Sequence, residues 1–242
     1  MKVIIVDSYE ELSKKAAELI KEQLIKKENS VLGLATGSTP EGMYKELVEM
    51  YEKGEIDFEN VTTFNLDEYF GLDPNNDQSY FYFMNKHLLD KVNIKKENIN
   101  IPPGITDDLE KTSREYDEKI EKNGGTDIQV LGIGINGHIG FNEPDKNFIG
   151  ETHKVNLSKE TIDANARFFE NPEDVPKEAI TMGMKSILSA KKIILLASGK
   201  NKAEAIVNSL QGPITPKVPA SILQLHNDLV VIIDKDAGSK LK

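Results

Sequence analysis

The chain has 242 residues, 30 basic against 40 acidic side chains for a formal charge of −10, and neither cysteine nor tryptophan. Without cysteine there are no disulfides, thiolate nucleophiles or Cys-ligated metal centres, and a chain this long buries about 70–75% of its unfolded surface without such staples. The longest apolar runs fall far short of the ~20 residues of a membrane helix, no signal peptide is readable, and no basic–aromatic cluster suits a nucleic acid, so a cytoplasmic location is expected.

In chain order, Val3–Val6 reads as a strand. Ser8 and Glu11 have the spacing of a capping box, opening a helix with Leu12, Ala16, Leu19, Ile20 and Leu24 on one face. Val31–Ala35 is a second strand, followed by Thr36-Gly37-Ser38-Thr39-Pro40. Pro40 suits the first helical position, and Met43, Tyr44, Leu47 and Met50 give that helix an inward face ending near Gly54. Val61–Asn65 is a third strand and Leu66–Asp77 a loop.

Ser79–Val92 reads as an aromatic-rich helix, and Thr106–Lys122 as a polar helix closed by Gly124-Gly125. Ile128–Ile133 is a strand and Gly134–Asn147 a loop without helical period. The last third gives a strand over Lys192–Ala197, a helix over Gly199–Leu210 and a strand over Leu229–Ile233. Such alternation predicts a single α/β domain over residues 1–242, an open, mainly parallel, Rossmann-like sheet with helices on both faces.

Ligands of open α/β sheets bind at the carboxyl ends of strands, so the residues following each strand are the candidates. Gly37-Ser38-Thr39 and Ser198-Gly199-Lys200-Asn201-Lys202 each place small or hydroxyl residues at a helix N-terminus, where free N–H groups favour an anion. Well-capped helices use the same residues, and neither stretch has Walker A spacing.

Gly132-Ile-Gly134-Ile-Asn-Gly137 matches the dinucleotide fingerprint by letters. No helical period follows it, as that fingerprint requires, so these glycines serve to bring backbone close to a ligand or to place His138. His138 has Asn136 two residues before it and Glu143 five after, the makings of an acid–base pair tuned near neutrality. The spacing suits no metal. Of the other histidines, His87 packs or faces solvent and His226 is a core or capping residue. Asp67 and Glu68 directly follow a strand, and adjacent acids on extended chain face opposite ways, so at most one meets a ligand.

Val61-Thr-Thr-Phe-Asn-Leu-Asp-Glu-Tyr69 and Gly132-Ile-Gly-Ile-Asn-Gly-His-Ile-Gly-Phe-Asn-Glu-Pro144 together closely resemble the glucosamine-6-phosphate deaminase family. Further matches in order are Leu34–Pro40, Ala164-Asn-Ala-Arg-Phe-Phe169, Ser198–Ala205 and Leu223-Gln-Leu-His226. The resemblance implies conversion of glucosamine 6-phosphate and water to fructose 6-phosphate and ammonia, with no cofactor and no metal. It implies that His138, assisted by Glu143, opens the sugar ring. Asp67 moves the proton from C2 to C1 through an enolamine, and Glu68 is structural. It assigns the phosphate to Gly37, Ser38, Thr39, Lys202 and Arg167, one of only two arginines in the chain.

Two departures from the family pattern bear on mechanism. Many members carry Asp where this chain has Asn136, and Asn orients by hydrogen bonds without adding charge. Long, allosteric members carry Arg and Lys where this chain has His153 and Val155. No activation by N-acetylglucosamine 6-phosphate is therefore expected, and the oligomeric state stays open. The competing readings are a 6-phosphogluconolactonase, whose loop lacks the Phe-Asn-Glu-Pro ending, and a non-catalytic sugar-phosphate binding or sensing domain.

Overall fold

Seven strands form a wholly parallel sheet, and the order in which the chain visits them fixes where a ligand can sit. In the computed structural model, which describes residues 1–166, 169 and 171–242 (for residue 172 the backbone alone), these are β1 (Lys2–Val6), β2 (Val31–Leu34), β3 (Thr62–Asn65), β5 (Ile99–Asn100), β6 (Ile128–Gly132), β9 (Lys192–Ala197) and β10 (Leu229–Asp234). They lie in the order β1-β10-β9-β6-β2-β3-β5, every pair parallel. From β2 the chain moves outward to β3 and β5; it then returns to β6 on the other side of β2 and moves outward again through β9 and β10. The reversal between β2 and β6 is the topological switch point, where a crevice opens beyond the carboxyl ends of the strands.

Right-handed crossovers put helices on both faces. α1 (Tyr9–Lys26) and α2 (Ser38–Glu52) pack on each other, burying Leu12, Ala16, Ile20 and Leu24 from one and Met43, Tyr44 and Leu47 from the other. Ser8 caps α1 by accepting the Glu11 N–H, while the Glu11 carboxylate takes the Asp7 N–H, a capping box shifted by one residue. α2 starts two residues before Pro40, which occupies the third helical position, where its missing N–H is also costless. On the opposite face, α4 (Leu109–Lys122) sets the Tyr116 ring edge-on to Phe64 at 5.8 Å between centroids, and α7 (Ala203–Gln211) joins β9 to β10.

A second, three-stranded antiparallel sheet was not legible in the sequence. It has the order β4 (Asp67–Tyr69), β8 (Glu178–Thr181), β7 (His153–Asn156). Leu66 is the pivot between the sheets: its N–H donates to the Leu34 carbonyl in the main sheet and its carbonyl accepts from Met182 N beside β8. The stretch expected to be loop from Leu66 onward is therefore strand for its first residues. The helix read over Ser79–Val92 is α3 (Tyr80–His87), with Ser79 as its cap, followed by a 3-10 turn over Leu89–Lys91. Short helices α5 (Lys159–Asn165) and α6 (Met184–Leu188) complete the chain order.

Candidate active site

The switch-point crevice holds a cleft of about 170 Å³ lined by Thr36–Thr39 after β2, Asp67 on β4, Gly132–Ile135 and His138 after β6, Thr161 and Asn165 on α5, and Lys202 after β9. Six residues singled out by sequence (Gly37, Ser38, Thr39, Asp67, His138 and Lys202) thus share one cavity. Arg167 lies outside the described residues.

Asp67 reaches the cleft because the chain changes sheets at Leu66. Its neighbour Glu68 points the other way and accepts the N–H groups of Tyr69, Tyr80 and Phe81, capping the start of α3. The adjacent acids face opposite ways, one carboxylate spent on structure and the other lining the cleft. Among the described residues no donor contacts the Asp67 carboxyl, which is 5% exposed. Burial, with the nearby Glu68 charge adding to it, pushes this carboxyl up to about 8.

On the other wall, the loop after β6 presents His138. The imidazole lies over Gly134, where a Cβ would stand 2.3 Å from the ring, so no other residue leaves room for it. Gly140, at φ +57°, carries the backbone close to Asp67; a Cβ there would come within 2.9 Å of Thr181 Oγ1 and 3.4 Å of the Asp67 carboxylate.

Behind the ring, Glu143 Oε2 is 3.6 Å from His138 Nδ1 and accepts a 2.8 Å bond from Asn136 Nδ2. The Asn136 Oδ1 accepts the His138 N–H at 3.1 Å. Asn136 does not line the cleft; it ties the carboxylate to the histidine backbone. Thr161 adds a 2.5 Å bond from its hydroxyl to Glu143 Oε1 and lies 3.4 Å from His138 Nδ1. Burial works to raise the Glu143 carboxyl, but His138, Thr161 and Asn136 together hold it at about 2, so it stays ionised beside the imidazole.

Thr161 is a site residue that sequence reasoning missed. It sits in the first turn of α5, where Ser158 accepts its N–H as an ordinary cap. Nothing in the local pattern distinguishes a threonine that also reaches across to a carboxylate 18 positions away.

The two helix starts read as anion sites differ. α2 begins at the cleft with Gly37, which has no side chain to cap it, at its N-cap. The start after β9 is already filled: Asp234 accepts the Ser198 hydroxyl at 2.5 Å and the Gly199 N–H at 2.9 Å. The chain's own carboxylate is the anion there, and what that turn gives the cleft is Lys202, whose Nζ donates to the Ile133 carbonyl at 2.7 Å. His226, at 2.8 Å from the Ala190 carbonyl, serves the fold as a capping residue, and His87 stacks on Phe83.

A family model described as glucosamine-6-phosphate isomerases/6-phosphogluconolactonase matches residues 7–232. A glucosamine-6-phosphate deaminase of Thermoanaerobacter sp. (strain X514) is 63% identical over 99% of this chain and 94% of its own. One from Clostridium botulinum (strain Langeland) is 58% identical over 100% and 99%. The solved structure of a monomeric glucosamine-6-phosphate deaminase superposes with a TM-score of 0.96 at 48% identity, covering 99% of both chains. The 6-phosphogluconolactonase of Thermotoga maritima, at TM-score 0.75 and 19% identity over 97% and 99%, shares the fold. On a match of this extent the chain belongs to the family of glucosamine-6-phosphate isomerases and 6-phosphogluconolactonases.

Proposed function

We propose that this protein converts glucosamine 6-phosphate and water to fructose 6-phosphate and ammonia, and that Asp67, His138 and Glu143 carry the chemistry. The observation that carries the reading is the pairing of two carboxylates of opposite character across one cleft. Asp67 is buried, without a donor among the described residues, and raised to about 8; Glu143 is held near 2 beside a histidine. Such a split assigns a proton carrier and an electrostatic support to different groups.

The N–H groups at the start of α2, the hydroxyls of Ser38 and Thr39, and the Lys202 ammonium hold the phosphate, joined by Arg167 on the family pattern. His138 exchanges the proton that opens the ring between the anomeric hydroxyl and the ring oxygen, and Glu143 stabilises its charged form. Asn136 orients both. The substrate's C2 ammonium then enters beside Asp67 and supplies a positive charge that favours its ionised form. Asp67 takes the C2 proton while one ammonium proton passes to O1, giving a neutral enolamine, and then returns its proton to C1; water adds to the resulting C2 iminium, and ammonia leaves.

Relatives at 63% and 58% identity that bear the deaminase name support this reading over a lactonase, which has no amino group to answer a bare buried carboxyl. The test is ammonia release from glucosamine 6-phosphate by the wild type, Asp67→Asn and His138→Gln. A wild type that binds the sugar phosphate without releasing ammonia overturns the reading. Full isomerisation by Asp67→Asn overturns the role of that residue.

The same proposal includes the absence of activation by N-acetylglucosamine 6-phosphate. His153 and Val155 stand on β7, with the His153 ring at 2.8 Å from the Glu151 carbonyl, and neither brings the fixed charge of an arginine or lysine. Hyperbolic substrate dependence, unchanged by that compound, is expected.

A further inference from the structure

The turn after β2 is shaped from below by two tyrosine hydroxyls. Tyr9, at the start of α1, donates to the Ser38 carbonyl at 2.8 Å and accepts the Gly42 N–H at 2.8 Å. These are the groups that pair i to i+4 in the opening turn of a helix, so the phenol sits astride the first turn of α2. Tyr44, fully buried one turn further along, donates to the Ala35 carbonyl at 2.5 Å. Both carbonyls flank the Thr36-Gly37 step that lines the cleft. Gly42 is what lets α1 approach: a Cβ there would stand 2.2 Å from Ser13 Oγ and 3.0 Å from the Tyr9 hydroxyl.

A turn can bind a dianion only if its N–H groups face the ligand and its carbonyl oxygens face away. Here α2 opens at the cleft, and each phenol O–H holds a carbonyl at one end of the 35–38 stretch that leads into it. We propose that Tyr9 and Tyr44 are positioning residues of the phosphate subsite, acting through the backbone of residues 35–39 without touching substrate. The inference rests on the phosphate placement above and deepens it by naming what sets that subsite's affinity.

The test uses the full-length protein, Tyr9→Phe and Tyr44→Phe, with two readouts. Inorganic phosphate binding is measured by calorimetry; KM and kcat for glucosamine 6-phosphate are measured by ammonia release. For Tyr9→Phe, phosphate affinity is expected to weaken and KM to rise by about tenfold, the worth of a hydrogen bond between neutral groups, with kcat within about twofold of wild type. Tyr44→Phe is expected to follow the same split. Because Tyr44 is buried, its thermal midpoint is measured alongside; Tyr9, half-buried, is the variant on which the proposal stands. Unchanged phosphate affinity in Tyr9→Phe overturns the proposal, as does a fall in kcat with KM and phosphate affinity intact. Absence of ammonia release by the wild type overturns the deaminase reading instead, and the phosphate measurement still tests the tyrosines.

Discussion

Two aspartates are buried to almost the same degree at opposite ends of the parallel sheet, and they have opposite fates. Asp127, 4% exposed, lies at the amino end of β6 and receives Lys27 Nζ at 2.6 Å, Lys191 Nζ at 2.7 Å and the Val31 N–H at 2.7 Å. Burial opposes its ionisation, but those three donors win and hold it below the ordinary carboxylate range. Asp67, 5% exposed, lies just past the carboxyl end of β3 and receives no donor among the described residues, so burial prevails and it rises to about 8. Burial works to raise both carboxyls, and the donors gathered at Asp127 reverse the outcome there. At one end of the sheet a buried carboxyl is tied by donors; at the other it faces the cleft without one among the described residues.

The sharpest way to break that contrast is Asp67→Asn, expected to cut turnover about 10³-fold, within the span usual for a lost acid–base group. The same change is expected to stabilise the fold. An aspartate at 3.8 in the unfolded chain and about 8 in the folded one is penalised increasingly as pH rises from 4 to 8. The stability gap between Asp67→Asn and wild type should widen over that window, to a few kcal/mol, in urea unfolding at several pH values. A gap independent of pH would show that Asp67 ionises normally. In catalysis, the acid limb of kcat/KM should lie well above the ordinary carboxylate range and vanish in this variant.

At the other end, Asp127→Ala strands two lysines and an amide and is expected to cost about 2–3 kcal/mol; the solvent exposure of the lysines keeps it at the low end for a broken buried pair. Its kcat per folded molecule should be unchanged, and a matching loss of kcat would erase the division between the two ends.

Glu143 lies between these cases. Depressed from 4.5 to about 2, it contributes stability that is fully present above pH 4.5 and lost as pH falls toward 2. Glu143→Gln should flatten that part of the acid unfolding curve. Thr161→Val, which removes one donor to Glu143 and keeps its shape, is expected to lower kcat about tenfold or less. The smallest effect belongs to Lys27→Met, under about 1 kcal/mol, because Lys191 still serves Asp127.

Much of this was legible in the sequence, for identifiable reasons. The inner strands of the main sheet are buried on both faces and read as short runs without charged residues, as Val31–Leu34 and Leu229–Ile233 show. The loop around His138 was legible because its glycines have no helical purpose, and the structure gives them a spatial one. β4, β7 and β8 were not legible: they are three or four residues long, and their pairing is set by Leu66, whose two backbone bonds go to different sheets. Thr161 and Tyr9 were missed for the same physical reason. Each makes its decisive contact across the fold, to Glu143 and to the first turn of α2, and carries a local capping or surface pattern that hides it.

The alternation of Asp67 and Glu68 has a further consequence. The two residues carry the same charge and sit side by side, and the only thing that separates their employment is parity along a pleated backbone. A single residue inserted at Leu66 would reverse their faces: Glu68 would turn away from the three amides it serves, and Asp67 would lie beneath α3 in its place. The hinge between the sheets thus behaves as a reading frame written in geometry, and its integrity is as much a condition of chemistry as any side chain in the cleft.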